Sequence, residues 1–171
     1  MGAAALRTLI GCICCLVMAT PSGGAMAGDK GYLREIAGPV AADVVKVRDG
    51  DTVEVEAHVW PMHSVHVAVR LRGIDAPEKR GHCEAEKAAA VRAAARLTEL
   101  VEGGTVQLTE IAGDKYYGRV LARLSVPGHD DLGGTLLKEG LVAPYEGGKR
   151  RDWCSDQALR SGLAIGQADR G

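Results

Sequence analysis

The sequence predicts a mainly β fold of the α+β class: a five-stranded, partly open barrel with a helix between its third and fourth strands and short helices after the fifth. Three observations predict it. Five short runs rich in Val, Leu, Ile and Thr read as strands; one stretch of strong helix formers interrupts them after the third; and turn residues separate the runs.

Residues 41–47 form the first strand, and Arg48-Asp49-Gly50-Asp51 carries the Asp-Gly signal of a tight hairpin. Residues 52–59 then alternate, with Val53, Val55, Ala57 and Val59 on one face and Glu54, Glu56 and His58 on the other. Trp60-Pro61-Met62-His63 turns the chain into a third strand, residues 64–73, where Val69 and Leu71 oppose Arg70 and Arg72. Residues 84–101 are rich in Ala, Lys, Arg and Leu and predict a helix, with Val91, Ala94, Ala95, Leu97, Leu100 and Val101 as its apolar side. Gly103-Gly104 stops it. Residues 105–111 and 120–126 are the fourth and fifth strands, residues 131–139 a short helix ending at Gly140, and residues 155–163 a last helix. This order is that of the OB barrel. There is no internal repeat and no low-complexity tract.

The 171 residues suffice for one domain with a core, and a chain without Phe must build that core from Val, Leu, Ile and Ala. A net charge of −1 gives no electrostatic indication of a polyanionic partner, so local features must supply it. Arg7, a short apolar run over 9–18 and Ala25-Met26-Ala27 make a secretory signal peptide over 1–27, cleaved after Ala27. The run is too short for a membrane span. Residues 28–39 are then a lead-in and 40–171 the domain, in a periplasmic or secreted protein with no membrane segment. Cleavage takes Arg7 from the 21 basic residues, leaving 20 against 22 acidic ones, a net charge of −2. It also removes Cys12, Cys14 and Cys15. Cys83 and Cys154 remain, and an even pair in an exported chain predicts a disulfide.

Carboxylates and arginines gather at three turns. Asp49-Gly50-Asp51-Thr52 alone is an ordinary hairpin turn, and it lacks the ligand spacing of an EF-hand. Asp75-Ala76-Pro77-Glu78 is different. Pro77 fixes its own φ and biases Ala76 toward extended backbone, so two carboxylates and a carbonyl face out from a stiff loop, as hard cations require. Arg70, five residues earlier, offers a planar fork that matches two phosphate oxygens. The third stretch, Lys115-Tyr116-Tyr117-Gly118-Arg119, places an arginine after a turn glycine at a strand start.

D-G-D-T, R-x-x-x-x-D-x-P-E and Y-G-R, in that order and at these separations, resemble the thermonuclease family, the staphylococcal-nuclease-like domains, from about Val40 to about Tyr145. The resemblance implies one Ca²⁺ ion held by Asp51, Asp75 and the Ala76 carbonyl, with Asp49 supporting them from behind. It implies Glu78 as general base, or as the group that positions the attacking water, and Arg70 and Arg119 as the guanidiniums on the scissile phosphate. Lys115, Tyr116 and Tyr117 fall where the family contacts a neighbouring phosphate, and Tyr145 where it stacks a base. The implied activity is endonucleolytic hydrolysis of DNA and RNA by a monomer, leaving 3′-phosphates, with single strands preferred. The chain departs from the family in Ala76 for a usual Thr, in one extra residue before Gly118, and in a short stretch between Glu78 and the helix. The alternative is a catalytically weak or inactive module of this fold that binds nucleic acid or a protein partner.

Other polar features carry plainer readings. His58 and His66 can be neighbours on one sheet face, the geometry of a zinc or copper pair, whereas His63 and His66 differ in parity. Lys149-Arg150-Arg151 is a short basic run that could touch nucleic acid, with a solvated loop as its more frequent meaning.

Overall fold

The computed structural model describes residues 34–102 and 104–155. The expected signal peptide, residues 28–33 of the lead-in, Gly103 and the last expected helix beyond Ser155 lie outside the described residues. The elements are β1 (Glu35–Ile36), β2 (Val40–Asp49), β3 (Thr52–Trp60), β4 (His63–Leu71), β5 (Ile74–Asp75), α1 (Glu84–Leu100), β6 (Thr105–Gly113), β7 (Arg119–Ser125), α2 (Leu132–Lys138) and β8 (Ala143–Pro144). Among the described residues, no helix is long and apolar enough to cross a membrane.

β2, β3 and β4 form an antiparallel meander. β7 then lies parallel to β4, β6 pairs antiparallel with β7, and β6 returns to β2. Five strands therefore close into a barrel, more completely than the partly open form expected. The parallel pairing needs a long crossover, which α1 and β6 provide. β1, within the stretch read as a lead-in, adds to β6, with Glu35 opposite Ala112.

Alternation builds the core. Val53, Val55 and Ala57 of β3 meet Val69 and Leu71 of β4, Leu108 of β6 and Leu124 of β7, all buried. Each fully buried leucine contributes roughly 2 kcal/mol of hydrophobic stabilisation. Val59, expected on the same face, is half exposed. It lies in the end of the β3–β4 hairpin that projects past the core, together with exposed Trp60 and Met62. Glu54, on the opposite face of β3, is covered by Lys46 at 3.3 Å, by Arg48, and by the His66 ring at 3.4 Å.

The buried side of α1 also differs from expectation. Val91 and Ala95 are exposed, and Ala85, Ala89, Ala93, Leu97 and Leu100 face inward. Small side chains let this helix approach the Asp49–Asp51 turn closely. A Cβ on Gly50 would stand 2.5 Å from the Ala93 Cβ and 3.0 Å from the Ala76 Cβ. Gly50 thus sets the distance between turn, helix and the Asp75–Glu78 loop.

Cys83, at the N-cap position of α1, forms a disulfide with Cys154, the pair expected from the two cysteines that follow residue 27. The bridge closes a sequence separation of 71. Replacing both cysteines with serine is expected to lower the unfolding free energy by about 2–4 kcal/mol, through the larger freedom of the open chain. Urea titration of the double variant checks this, and a loss below about 1 kcal/mol would contradict it.

Candidate active site

Period-two alternation in β4 sends Val69 and Leu71 inward and leaves Arg70 on the outer side of the barrel wall. The next turn leads into β5, which pairs with β8 so that Asp75 lies opposite Ala143. Pro77 is fully buried, and Glu78 emerges beyond it, half exposed. The Glu78 backbone N–H donates to Glu86 Oε1 at 3.3 Å, and Glu86 Oε2 accepts from the His82 N–H at 3.0 Å. The loop is therefore held from α1 without using the Glu78 carboxylate.

Asp51 and Asp75 are both buried, and Arg70 bridges them. Its Nη1 lies 2.9 Å from Asp51 Oδ2 and its Nη2 2.9 Å from Asp75 Oδ1. Asp51 also accepts from the Thr52 hydroxyl at 2.8 Å and from the Ala76 backbone N–H at 3.1 Å. Burial pushes the Asp51 carboxyl above the usual carboxylate range. The Arg70 charge and the two hydrogen bonds pull against that, and the nearby Asp75 charge adds to it. Asp49 sits at the rim, half exposed, 3.9 Å from the Lys79 ammonium.

Arg119 opens β7 directly after Gly118, whose φ of 78° is the left-handed turn that glycine permits. Its register places Ala68 of β4 beside it, so Arg119 and Arg70 are diagonal neighbours on parallel strands. Arg119 Nε donates to Asp114, and its guanidinium lies 4.7 Å from the centre of the Tyr116 ring, with Lys115 Nζ at 5.1 Å on the same ring. Tyr117 is fully exposed. Of the two tyrosines, Tyr116 is therefore the one set against the arginine.

These residues share two connected concavities. A small hollow of about 160 Å³ is lined by Asp49, Asp51, Arg70, Ala76, Glu78 and Arg119, among others. A groove of about 670 Å³ shares Arg70, Glu78 and Arg119 with it and runs past Lys115, Tyr116 and Tyr145. Tyr145 is tied by its backbone N–H to the Gly73 carbonyl at 2.9 Å and by its hydroxyl to the Gly148 carbonyl at 3.3 Å. The chain segments from three turns and the C-terminal loop thus meet at one face of the barrel.

A model of the staphylococcal nuclease homologue family matches residues 68–162. The chain belongs to this family. No curated protein matches it. Within this staphylococcal nuclease homologue, the match takes in Arg70, Asp75, Ala76, Glu78 and Arg119 and begins after Asp49 and Asp51. Asp51 joins the site through geometry: its contacts with Arg70 and the Ala76 amide lock the first turn to the matched segment.

Arg150 also belongs to this site, and sequence reasoning missed it. It was read as part of a solvated basic loop. Instead its Nε donates to Asp75 Oδ2 at 2.8 Å, its Nη2 to the Ala76 carbonyl at 2.9 Å, and its Nη1 to Glu78 Oε1. The signal that could have found it is the disulfide. Arg150 lies four residues before Cys154, and Cys83 lies five residues after Glu78, so the bridge returns this loop to the carboxylates.

The donors implied for the family's metal are chemically suited to it. Asp51, Asp75 and the Ala76 carbonyl offer only oxygen atoms, as a hard cation requires. They also converge on positive charge: Arg70 bridges the two carboxylates, and Arg150 reaches both Asp75 and the Ala76 carbonyl.

Among the described residues the two histidines do not fall in a cluster of metal-ligating atoms. The register sets His58 opposite Ser64 and His66 opposite Glu56. Each ring has a carboxylate neighbour: His58 Nε2 is 3.0 Å from Asp43, and His66 Nδ1 is 2.8 Å from Glu56.

Proposed function

We propose that this chain is an exported, calcium-dependent endonuclease that hydrolyses DNA and RNA, prefers single strands and leaves 3′-phosphates. The observation that carries the reading is the small hollow into which Asp51, Ala76, Glu78, Arg70 and Arg119 converge, in a member of a nuclease family. Asp51, Asp75 and the Ala76 carbonyl would hold the ion. When bound, it supplies positive charge against the phosphate and its transition state. Glu78, half exposed at the mouth, accepts a proton from water as the water oxygen attacks phosphorus, and the P–O5′ bond breaks with O5′ taking a proton from solvent to leave as a 5′-hydroxyl. Arg70 and Arg119, on neighbouring strands, oppose the charge that builds on the equatorial oxygens. The groove over Lys115, Tyr116 and Tyr145 offers a cation and two rings to the flanking nucleotides.

A second reading, a module that binds without turnover, draws on one observation: protein carboxylates engage Arg70 and Arg119. Digestion of single-stranded DNA separates the two. The nuclease reading expects cleavage with calcium, none with chelator, and a loss of about 10²–10³ in rate for Arg119→Ala. Cleavage indifferent to chelator and to this substitution would overturn it, and binding without any cleavage would establish the module.

A further inference from the structure

We propose that Arg150 is a tethered cation that competes with the divalent ion for the acid pocket, so that it sets the affinity of the site and must leave before the site can act. This rests on the calcium reading of Asp51, Asp75 and Ala76. Three facts lead to it. First, the guanidinium uses all three of its nitrogens on one cluster: Asp75 Oδ2 at 2.8 Å, the Ala76 carbonyl at 2.9 Å, and Glu78 Oε1. Two of those acceptors are implied metal ligands, and the third is the implied base. An ion on Asp75 and Ala76 and a guanidinium on the same atoms exclude each other. A Glu78 carboxylate whose Oε1 is held by an arginine also offers that oxygen less readily to a proton from water.

Second, the contact is lopsided in exposure. The Asp75 side chain is 1% exposed and the Arg150 side chain 41%. The acid is built into the protein, whereas the arginine lies over it from the solvent side. Departure of Arg150 therefore exchanges protein contacts for hydration, while departure of Asp75 would not. Third, the arm that carries Arg150 is pinned at its ends and has two adjacent glycines between them. Tyr145 is tied to Gly73, and Cys154 to Cys83. Between them Gly147 and Gly148 have φ of 99° and 93°, conformations that glycine adopts without strain.

In the cation-free protein Arg150 thus neutralises the carboxylates, and divalent binding releases it into the groove it already lines. The competing interpretation is a permanent clamp, in which Arg150 orders the loop and supports the metal ligands. The two predict opposite signs.

Calcium titration calorimetry on the wild type, Arg150→Ala, Arg150→Lys and Asp75→Asn decides between them, with circular dichroism as the check on folding. Arg150→Ala is expected to bind calcium about tenfold or more tightly than the wild type, since a charge-assisted competitor is gone. Arg150→Lys should fall between, because an ammonium lacks the fork. Amide exchange over residues 146–151 of the wild type should quicken when calcium is added. Equal or weaker calcium binding by a folded Arg150→Ala, or unchanged exchange in that loop, would overturn the proposal. If Asp75→Asn loses the ion while Arg150→Ala gains nothing, only this inference falls. If neither the wild type nor a folded Arg150→Ala binds calcium, the calcium reading falls with it.

Discussion

Replacing Arg70 with alanine is expected to lower the unfolding free energy by about 3 kcal/mol, with lysine only a partial substitute. Arg70 is the shared partner of two buried carboxylates. Its own side chain is 19% exposed, against 4% for Asp51 and 1% for Asp75. Removing one member of a buried pair leaves an uncompensated charge, at a cost of roughly 3–5 kcal/mol. The lower end applies, because Asp75 keeps Arg150 and Asp51 keeps the Thr52 hydroxyl and the Ala76 amide. Lysine keeps the charge, but its single ammonium cannot reproduce a fork that places one nitrogen on each acid. Calcium should restore part of the loss, since an ion bound only by the folded chain stabilises it by mass action. Urea unfolding with and without calcium measures both effects. A cost below about 1 kcal/mol would show that the bridge is not what holds the two acids together.

Glu78→Gln is expected to reduce phosphodiester cleavage by about 10³-fold while leaving the fold intact. A positioned base contributes roughly 10²–10⁴ in rate, and the amide cannot accept the proton. The substitution keeps size and shape. Glu86 of α1 still holds the backbone at Glu78 and His82, and the glutamine carbonyl can still accept from Arg150. The effect should therefore fall on kcat, with KM little changed and an unchanged melting curve. Cleavage within about tenfold of the wild type would remove Glu78 from the role of base.

The strands were legible wherever one face is buried, because alternation then records the barrel wall. Val53, Val55 and Ala57 with Val69 and Leu71 entered the core as their pattern predicts. Val59 did not, since alternation continues into a hairpin arm that is exposed among the described residues. The face of α1 was misread for a different reason. Hydropathy favours Val91, but a helix pressed against the Gly50 turn needs alanines there. β1, β5 and β8 have two residues each, too few to carry a period.

The candidate site was legible where chemistry is local. Asp51, Asp75 and Glu78 announce themselves by turn and proline, and Arg70 and Arg119 by their places beside them. Arg150 carries no such local mark. Its partners are 72 to 75 residues away, and an arginine between a lysine and an arginine looks like any solvated loop. Long-range pairing is what single-sequence patterns hold least well, and here only the two cysteines encoded it.

The disulfide makes this last loop a closed ring rather than a tail. A protease that cuts at Gly147–Gly148, the exposed glycine pair, leaves the fragment bearing Arg150 still bonded through Cys154 to Cys83. Nicking alone would then keep the guanidinium close to Asp75, and only nicking followed by reduction would remove it. Proteolysis and thiol reduction would therefore act in series on the acid pocket.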